Sequence, residues 1–345
     1  IIVAVSGGFS AVKKEIFRER AAQKPPLAST HAPSPTHAAI SISPTSSSQH
    51  APPPSSTPLP TGVVYQQGDY NESIFVDGKT RTYFLHLPTG YSVSNRYPLV
   101  TVLHGGGGNG KKIASQTGFP AKADQEGFIT VFPDGINQHW DDGREVITPL
   151  INDVKFIRML IDQLTSRLSI DQKRIYATGV SNGGIMSHRL ACEMADVIAA
   201  IGADVGSLAT NMMSHCNPQN PIAIAVIQGT KDPILPIDGG KVSIGIGGFV
   251  QSATDTMKFW ISKNGCTSPA TVTNLPPLVQ DGTHVVKTHY AQCRDHSEVS
   301  YYIVEGMGHL WPPKSQVTRA AAGPPSQNID ATAVFWDFFK THAKK

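Results

Sequence analysis

The chain has 345 residues, 16% of them charged and 40% hydrophobic, with a formal net charge of +3. That charge is too small and too dispersed for a nucleic-acid partner. No run approaches the roughly 18 apolar residues that a membrane span requires. Within residues 1–62, the stretch 25–62 leans on Pro, Ser, Thr, Ala and His without apolar periodicity. Such a segment cannot bury enough surface to offset its ordering entropy, so it reads as a disordered tail and linker. Residues 63–345 are then long enough for one domain with a full core.

The predicted elements alternate along that second part. Arg81–Pro88 and Tyr97–Leu103 read as strands. A helical stretch at Ile113–Glu126 leads to a strand at Phe128–Phe132. Asp153–Leu168 places Val154, Ile157, Leu160, Ile161 and Leu164 on one helix face. The strand Arg174–Thr178 meets a helix starting near Gly184, then a short strand Ile198–Ala203 and an apolar strand at Ile222–Gly229. A glycine-rich irregular segment, Asp238–Val250, is expected beside the rim of the site. A helix at Ser252–Lys263, strands at His284–Tyr290 and Val299–Val304, and a terminal helix Ala331–Lys340 complete the series. Strand–helix alternation predicts a mostly parallel sheet with helices on both faces, an α/β fold.

Chemistry collects where strands end. Gly179-Val180-Ser181-Asn182-Gly183 joins a strand to a helix, the setting of the nucleophile elbow of an α/β-hydrolase. The pentapeptide alone is a weak signal, and an ordinary small-residue turn is its bland alternative. Two further groups follow in the order nucleophile, acid, base. Asp232 lies just past the strand Ile222–Gly229, and His309 lies in a glycine-bearing turn after the strand Val299–Val304. Catalytic groups of open α/β sheets gather at this carboxyl edge. The fourth element is the loop His104–Gly110 after an early strand. Its glycines let the backbone approach a substrate oxygen, and the N–H groups of Gly106 and Asn182 are the expected oxyanion donors, with Gly105 as the competing position. The same loop nearly matches a phosphate-binding loop over residues 105–111. Lys112 stands where that motif needs Ser or Thr, which disfavours nucleotide binding.

These residues resemble the secreted polyhydroxybutyrate-depolymerase and feruloyl-esterase group of α/β-hydrolases, carbohydrate esterase family 1 in the broad sense. The matching segments are Arg81–Pro88, Leu103–Asn109, Gly127–Gly135, Trp140–Arg144, Asp153–Ile157, Arg174–Gly184, Gly229–Pro233 and Gly308–Pro312. They run in order over roughly residues 63 to 340. The polymer-degrading members often carry Cys after the His-Gly pair, where this chain has Gly106, so the feruloyl-esterase-like branch is the nearer one.

The resemblance implies a serine carboxylic-ester hydrolase with Ser181 as nucleophile, Asp232 as acid and His309 as base. Its partner is an ester, a plant cell-wall feruloyl or acetyl ester or a polyester, and no metal or organic cofactor is expected. Trp140 and Trp311 are candidate walls of the substrate pocket, with a core role as the alternative. Four cysteines allow three pairings; the even count and the resemblance favour Cys192–Cys216 and Cys266–Cys293. The expected protein is a secreted monomer. Its signal peptide is missing or truncated, with Ile1–Val5 as a candidate remnant. A serine peptidase on the same fold is the alternative function.

Overall fold

A computed structural model describes residues 64–146, 151–313 and 320–345. The predicted tail 1–62, including the candidate signal remnant, lies outside the described residues.

The described chain builds one large sheet from strands β1 (Gly68–Val76), β2 (Lys79–Leu87), β3 (Tyr97–Leu103), β4 (Ile129–Pro133), β5 (Ile170–Val180), β6 (Ala200–Asp204), β7 (Ala223–Gly229), β10 (Thr271–Asn274), β11 (His284–Tyr290) and β12 (Val299–Glu305). Its spatial order is β1-β2-β4-β3-β5-β6-β7-β12-β11-β10. The run from β4 through β3, β5, β6 and β7 to β12 is parallel, and the two edges are antiparallel. The central strands β3, β4, β6 and β7 are buried at every position, as expected for strands covered on both faces. A separate two-stranded ribbon pairs β8 (Gly240–Lys241) with β9 (Phe249–Val250).

Helices cover both faces. One apolar cluster joins the sheet to α3 (Asp153–Arg167), α4 (Asn182–Glu193) and α6 (Ala253–Asn264). The other joins it to α1 (Gly110–Thr117), α2 (Phe119–Glu126) and α7 (Ala331–Phe339). A short helix, α5 (Met212–His215), follows β6. Helix α3 starts where the Asn152 side chain accepts from Lys155 N–H, and its predicted apolar stripe is the buried one.

The single helix expected over Ile113–Glu126 is two helices. Gly118 adopts φ +71° and ends α1, and Pro120 opens α2. That left-handed conformation suits a glycine C-cap, and proline is tolerated only in a first turn. The edge strands β1 and β10 are absent from the sequence reading because β1 alternates half-exposed positions and all four β10 residues are exposed.

Two disulfides staple the fold. Cys192–Cys216 joins the end of α4 to the residue after α5, with Cα atoms 4.9 Å apart. Cys266–Cys293 joins the segment after α6 to the loop after β11, with Cα atoms 3.9 Å apart. Among the described residues no helix is long and apolar enough to cross a membrane.

Candidate active site

The turn between β5 and α4 sets the site. Ser181 has φ 58° and ψ −120°, a conformation that a non-glycine residue adopts only at some cost. Surrounding bonds impose it: Ser181 N–H donates to Asp204 O (2.9 Å), and its own carbonyl accepts from Ile185 N–H (2.9 Å). The flanking glycines are required by close approach. A Cβ at Gly179 would sit 2.6 Å from the Gly183 carbonyl, and one at Gly183 would sit 2.4 Å from Leu103 O. Strand β3 therefore passes directly behind the serine.

His309 and Asp232 come from neighbouring parallel strands, β12 and β7, whose ends lie side by side. His309 Nδ1–H donates to Asp232 Oδ2 at 2.7 Å. The other carboxylate oxygen accepts from Ile234 N–H (2.8 Å) and Leu235 N–H (2.9 Å), which fixes its orientation. Because Nδ1 is the donor, Nε2 is left as the acceptor of the ring. Backbone bonds hold the histidine loop as well, from Gly308 N–H to Pro324 O (2.7 Å) and from His309 N–H to Ala322 O (2.5 Å). Ser181 and His309 both line one cleft of about 610 Å³, while Asp232 sits buried behind the imidazole.

The glycine loop after β3 forms the opposite wall. Gly107 N–H is bonded to Gln138 O and Gly108 N–H to Gly105 O. No backbone bond engages the Gly106 N–H among the described residues. A Cβ on Gly106 would stand 3.9 Å from Asn182 Cβ, so this glycine abuts the residue after the serine; one on Gly105 would stand 3.5 Å from Ser181 Cβ. Asn182 opens α4, and the first N–H groups of a helix have no partner within it. Gly106 and Asn182 both line the cleft, and two backbone N–H groups without other partners are the donor set that a developing oxyanion needs. The loop resembling a phosphate-binding motif is thus folded against the elbow.

His104 sets this loop from behind. Gly135 N–H donates to its Nε2 (2.9 Å), so the proton is on Nδ1, which donates to Gly105 O (2.8 Å). Burial lowers its pKa and favours this neutral form. Trp140 supports the same residue: its ring packs on His104 at 4.8 Å, and its Nε1–H donates to His104 O at 2.8 Å.

Neither tryptophan lines the cleft, which corrects the expectation that they wall the pocket. Trp140 is completely buried beneath the loop. Trp311 is buried between Phe119 and Phe335, with its Nε1–H donating to Thr332 Oγ1 at 3.1 Å. Both indoles are framework. Apolar side chains of the cleft wall include instead Ile234, Leu235, Val242, Ile244, Ile246 and Leu310. The glycine-rich segment 238–250 supplies three of these, at the rim where it was expected.

The sequence reading missed the network beside the elbow. The Asn182 side chain accepts from Trp140 N–H (2.8 Å) and donates to Trp140 O (3.1 Å) and Asp142 Oδ2 (2.5 Å). Asp142 is paired with Arg144, and both are buried. Asp153 braces the same loop by accepting from Asp141 N–H and Arg81. The available signal was two opposite charges two residues apart, around Gly143. His139, which stands over Gly106 at the cleft, was also missed.

Comparison with known proteins gives a consistent neighbourhood. Residues 81–240 match the family described as "Esterase PHB depolymerase". Feruloyl esterase C of Emericella nidulans is 32% identical over 75% of this chain and 83% of its own length. A putative esterase, NocK, of Nocardia uniformis is 28% identical over 74% of this chain and 78% of that protein. Feruloyl esterase B of Piromyces equi is 30% identical over 66% of this chain, but only 42% of its own length is spanned. Among solved structures, an acetyl xylan esterase from Aspergillus awamori superposes with a TM-score of 0.53 at 15% identity, covering 71% of this chain and 95% of that one. That likeness shows the α/β-hydrolase fold.

Proposed function

Since this chain belongs to the feruloyl-esterase and PHB-depolymerase family and is a carboxylic ester hydrolase, we propose that it is a secreted, monomeric serine esterase working through an acyl-enzyme. Its substrates are feruloyl or acetyl esters of plant cell-wall polysaccharide, or a polyester. The observation that carries this reading is the 2.7 Å His309–Asp232 pair, with His309 lining the same cleft as the forced elbow at Ser181.

Ser181 Oγ attacks the ester carbonyl carbon while His309 Nε2 takes its proton. The N–H groups of Gly106 and Asn182 receive the charge that builds on the carbonyl oxygen. Asp232 orients the imidazole and stabilises it once charged. Collapse breaks the bond to the alcohol, which leaves with the proton from His309. The acyl group remains on Ser181. His309 then deprotonates a water, which attacks the acyl carbon; the bond to Ser181 Oγ breaks, Oγ takes the proton back from His309, and the acid is released. The apolar wall supports an acyl group that is aliphatic or aromatic. The two disulfides support an oxidising compartment, hence secretion.

A substrate panel tests the reading: p-nitrophenyl acetate and butyrate, methyl ferulate, acetylated xylan, polyhydroxybutyrate and a peptide anilide. Hydrolysis of the soluble esters without the anilide is expected. Turnover of the anilide alone would favour a peptidase. Residues 63–345 are proposed as the whole catalytic unit, so removal of 1–62 is expected to leave soluble-ester activity unchanged.

A further inference from the structure

Arg144 touches neither Ser181 nor His309 by any hydrogen bond, yet its guanidinium joins two walls of the cleft. On one side Nε donates to Asp142 Oδ1 (3.0 Å) and Oδ2 (2.9 Å), and NH2 donates to Oδ2 (2.7 Å). That same Oδ2 accepts from the Asn182 side chain. On the other side NH1 donates to Gly247 O at 2.5 Å. Gly247 belongs to the segment between β8 and β9, which carries Val242, Ile244 and Ile246 into the cleft. A continuous series of bonds therefore runs from the flap, through Arg144 and Asp142, to the oxyanion residue.

The flap has few other restraints. Gly245, Gly247 and Gly248 have φ of +70°, +74° and +86°. Its outer residue Ile244 is 55% exposed. Backbone bonds hold its base, from Val242 N–H to Gly248 O and from Ser243 N–H to Ile234 O. Its returning limb rests on Arg144, whose Cβ and Cδ lie 3.1 Å from where a Gly248 Cβ would stand. Arg144 and Asp142 are 4% and 0% exposed. A buried charge pair this well bonded imposes one geometry on everything attached to it.

We infer that Arg144 is a positioning residue that locks the apolar flap 242–248 to Asn182, so that seating the acyl group and aligning the oxyanion donor are one event. The inference rests on the esterase reading of Ser181. Lysine at this position would keep a charge for Asp142, but its single ammonium cannot span the carboxylate and Gly247 O in the same fork. Asparagine at 142 would keep the shape and lose the charge that holds Asn182.

The test uses the full chain, with rates normalised by titration of the active serine. Arg144→Lys is expected to raise KM for p-nitrophenyl butyrate and methyl ferulate on the order of tenfold, with a much smaller change for p-nitrophenyl acetate, whose acyl group barely reaches the flap. Asp142→Asn is expected to lower kcat for all three esters. Equal loss on every ester with KM unchanged in Arg144→Lys would mark a merely structural role and overturn the inference. Wild-type protein supplies a second reading that needs no variant. A methylphosphonate adduct on Ser181 fills the oxyanion site without filling the acyl pocket. Hydrogen exchange of flap amides 242–248 is expected to slow severalfold in the adduct. An adduct with unchanged flap exchange would overturn the coupling alone. Failure to form an adduct would overturn the nucleophile assignment, and the inference with it.

Discussion

The backbone N–H of Ser181 is held by the carbonyl of Asp204, whose own carboxyl is completely buried with neither oxygen bonded among the described residues. Desolvation raises the pKa of Asp204 well above its ordinary value, and the nearby Asp232 charge adds to the rise. The native state therefore keeps a proton that the unfolded chain releases near pH 4. Protons bound in the unfolded state are then fewer, so stability falls as pH rises from about 4 towards the raised native value. Asp204→Asn removes this penalty without touching the backbone bond to Ser181. Thermal unfolding is expected to match wild type near pH 4 and to exceed it at pH 8. A variant less stable than wild type at pH 8 would show that the charged form is accommodated.

His188 has the opposite dependence. Its Nε2–H donates to Gly206 O (3.1 Å) and its Nδ1 accepts from Trp260 Nε1–H (3.0 Å). Burial lowers its pKa to about 4. Between roughly pH 6.5 and 4 the unfolded chain binds a proton that the native state refuses, so stability is lost as pH falls through that window. His188→Gln is expected to cost about 1–3 kcal/mol at pH 7 through imperfect hydrogen bonds. It is also expected to flatten the decline between pH 6.5 and 4, as measured by urea midpoints. An unchanged slope would mean that other groups govern acid sensitivity.

Asp232 bonds to the histidine, whereas Asp238, six residues further on, is exposed. Asp232→Asn is expected to lower kcat by up to about 10⁴, whereas Asp238→Asn stays near wild type. Steady-state kinetics on p-nitrophenyl butyrate decide between them. A reversed pattern would move the acid.

Each disulfide closes a loop of moderate length, with sequence separations of 24 and 27. Replacing either pair by serine is expected to cost roughly 3 kcal/mol, chiefly by freeing the unfolded chain. Thiol titration of denatured, unreduced protein is expected to find no free cysteine. Four titratable thiols would refute both bridges and the secreted assignment.

Much of the site was legible because its residues sit at strand ends, where apolar runs stop at Gly or Asp. The elbow, Asp232 and His309 all carry that punctuation. Gly118 and Pro120 also announced the break between α1 and α2, but the apolar pattern on either side concealed it. The tryptophans were misplaced for a different reason. A loop residue has no periodicity to say which way it points, and indole suits a pocket and a core equally well. The spacing of Asp142 and Arg144 allowed a pair but gave no sign of its burial. Two charges in a polar loop look solvated until the fold closes over them.

Ester cleavage is expected to pass through an acyl group on Ser181. Rapid mixing of the enzyme with p-nitrophenyl butyrate, followed by acid quench and peptide mass mapping, tests it most directly. A butyryl adduct is expected on the peptide containing Ser181 and absent from Ser181→Ala, whose turnover falls to a residue sustained by binding and the oxyanion donors. Butyrylation at another residue, or near-wild-type turnover by purified Ser181→Ala, would contradict it.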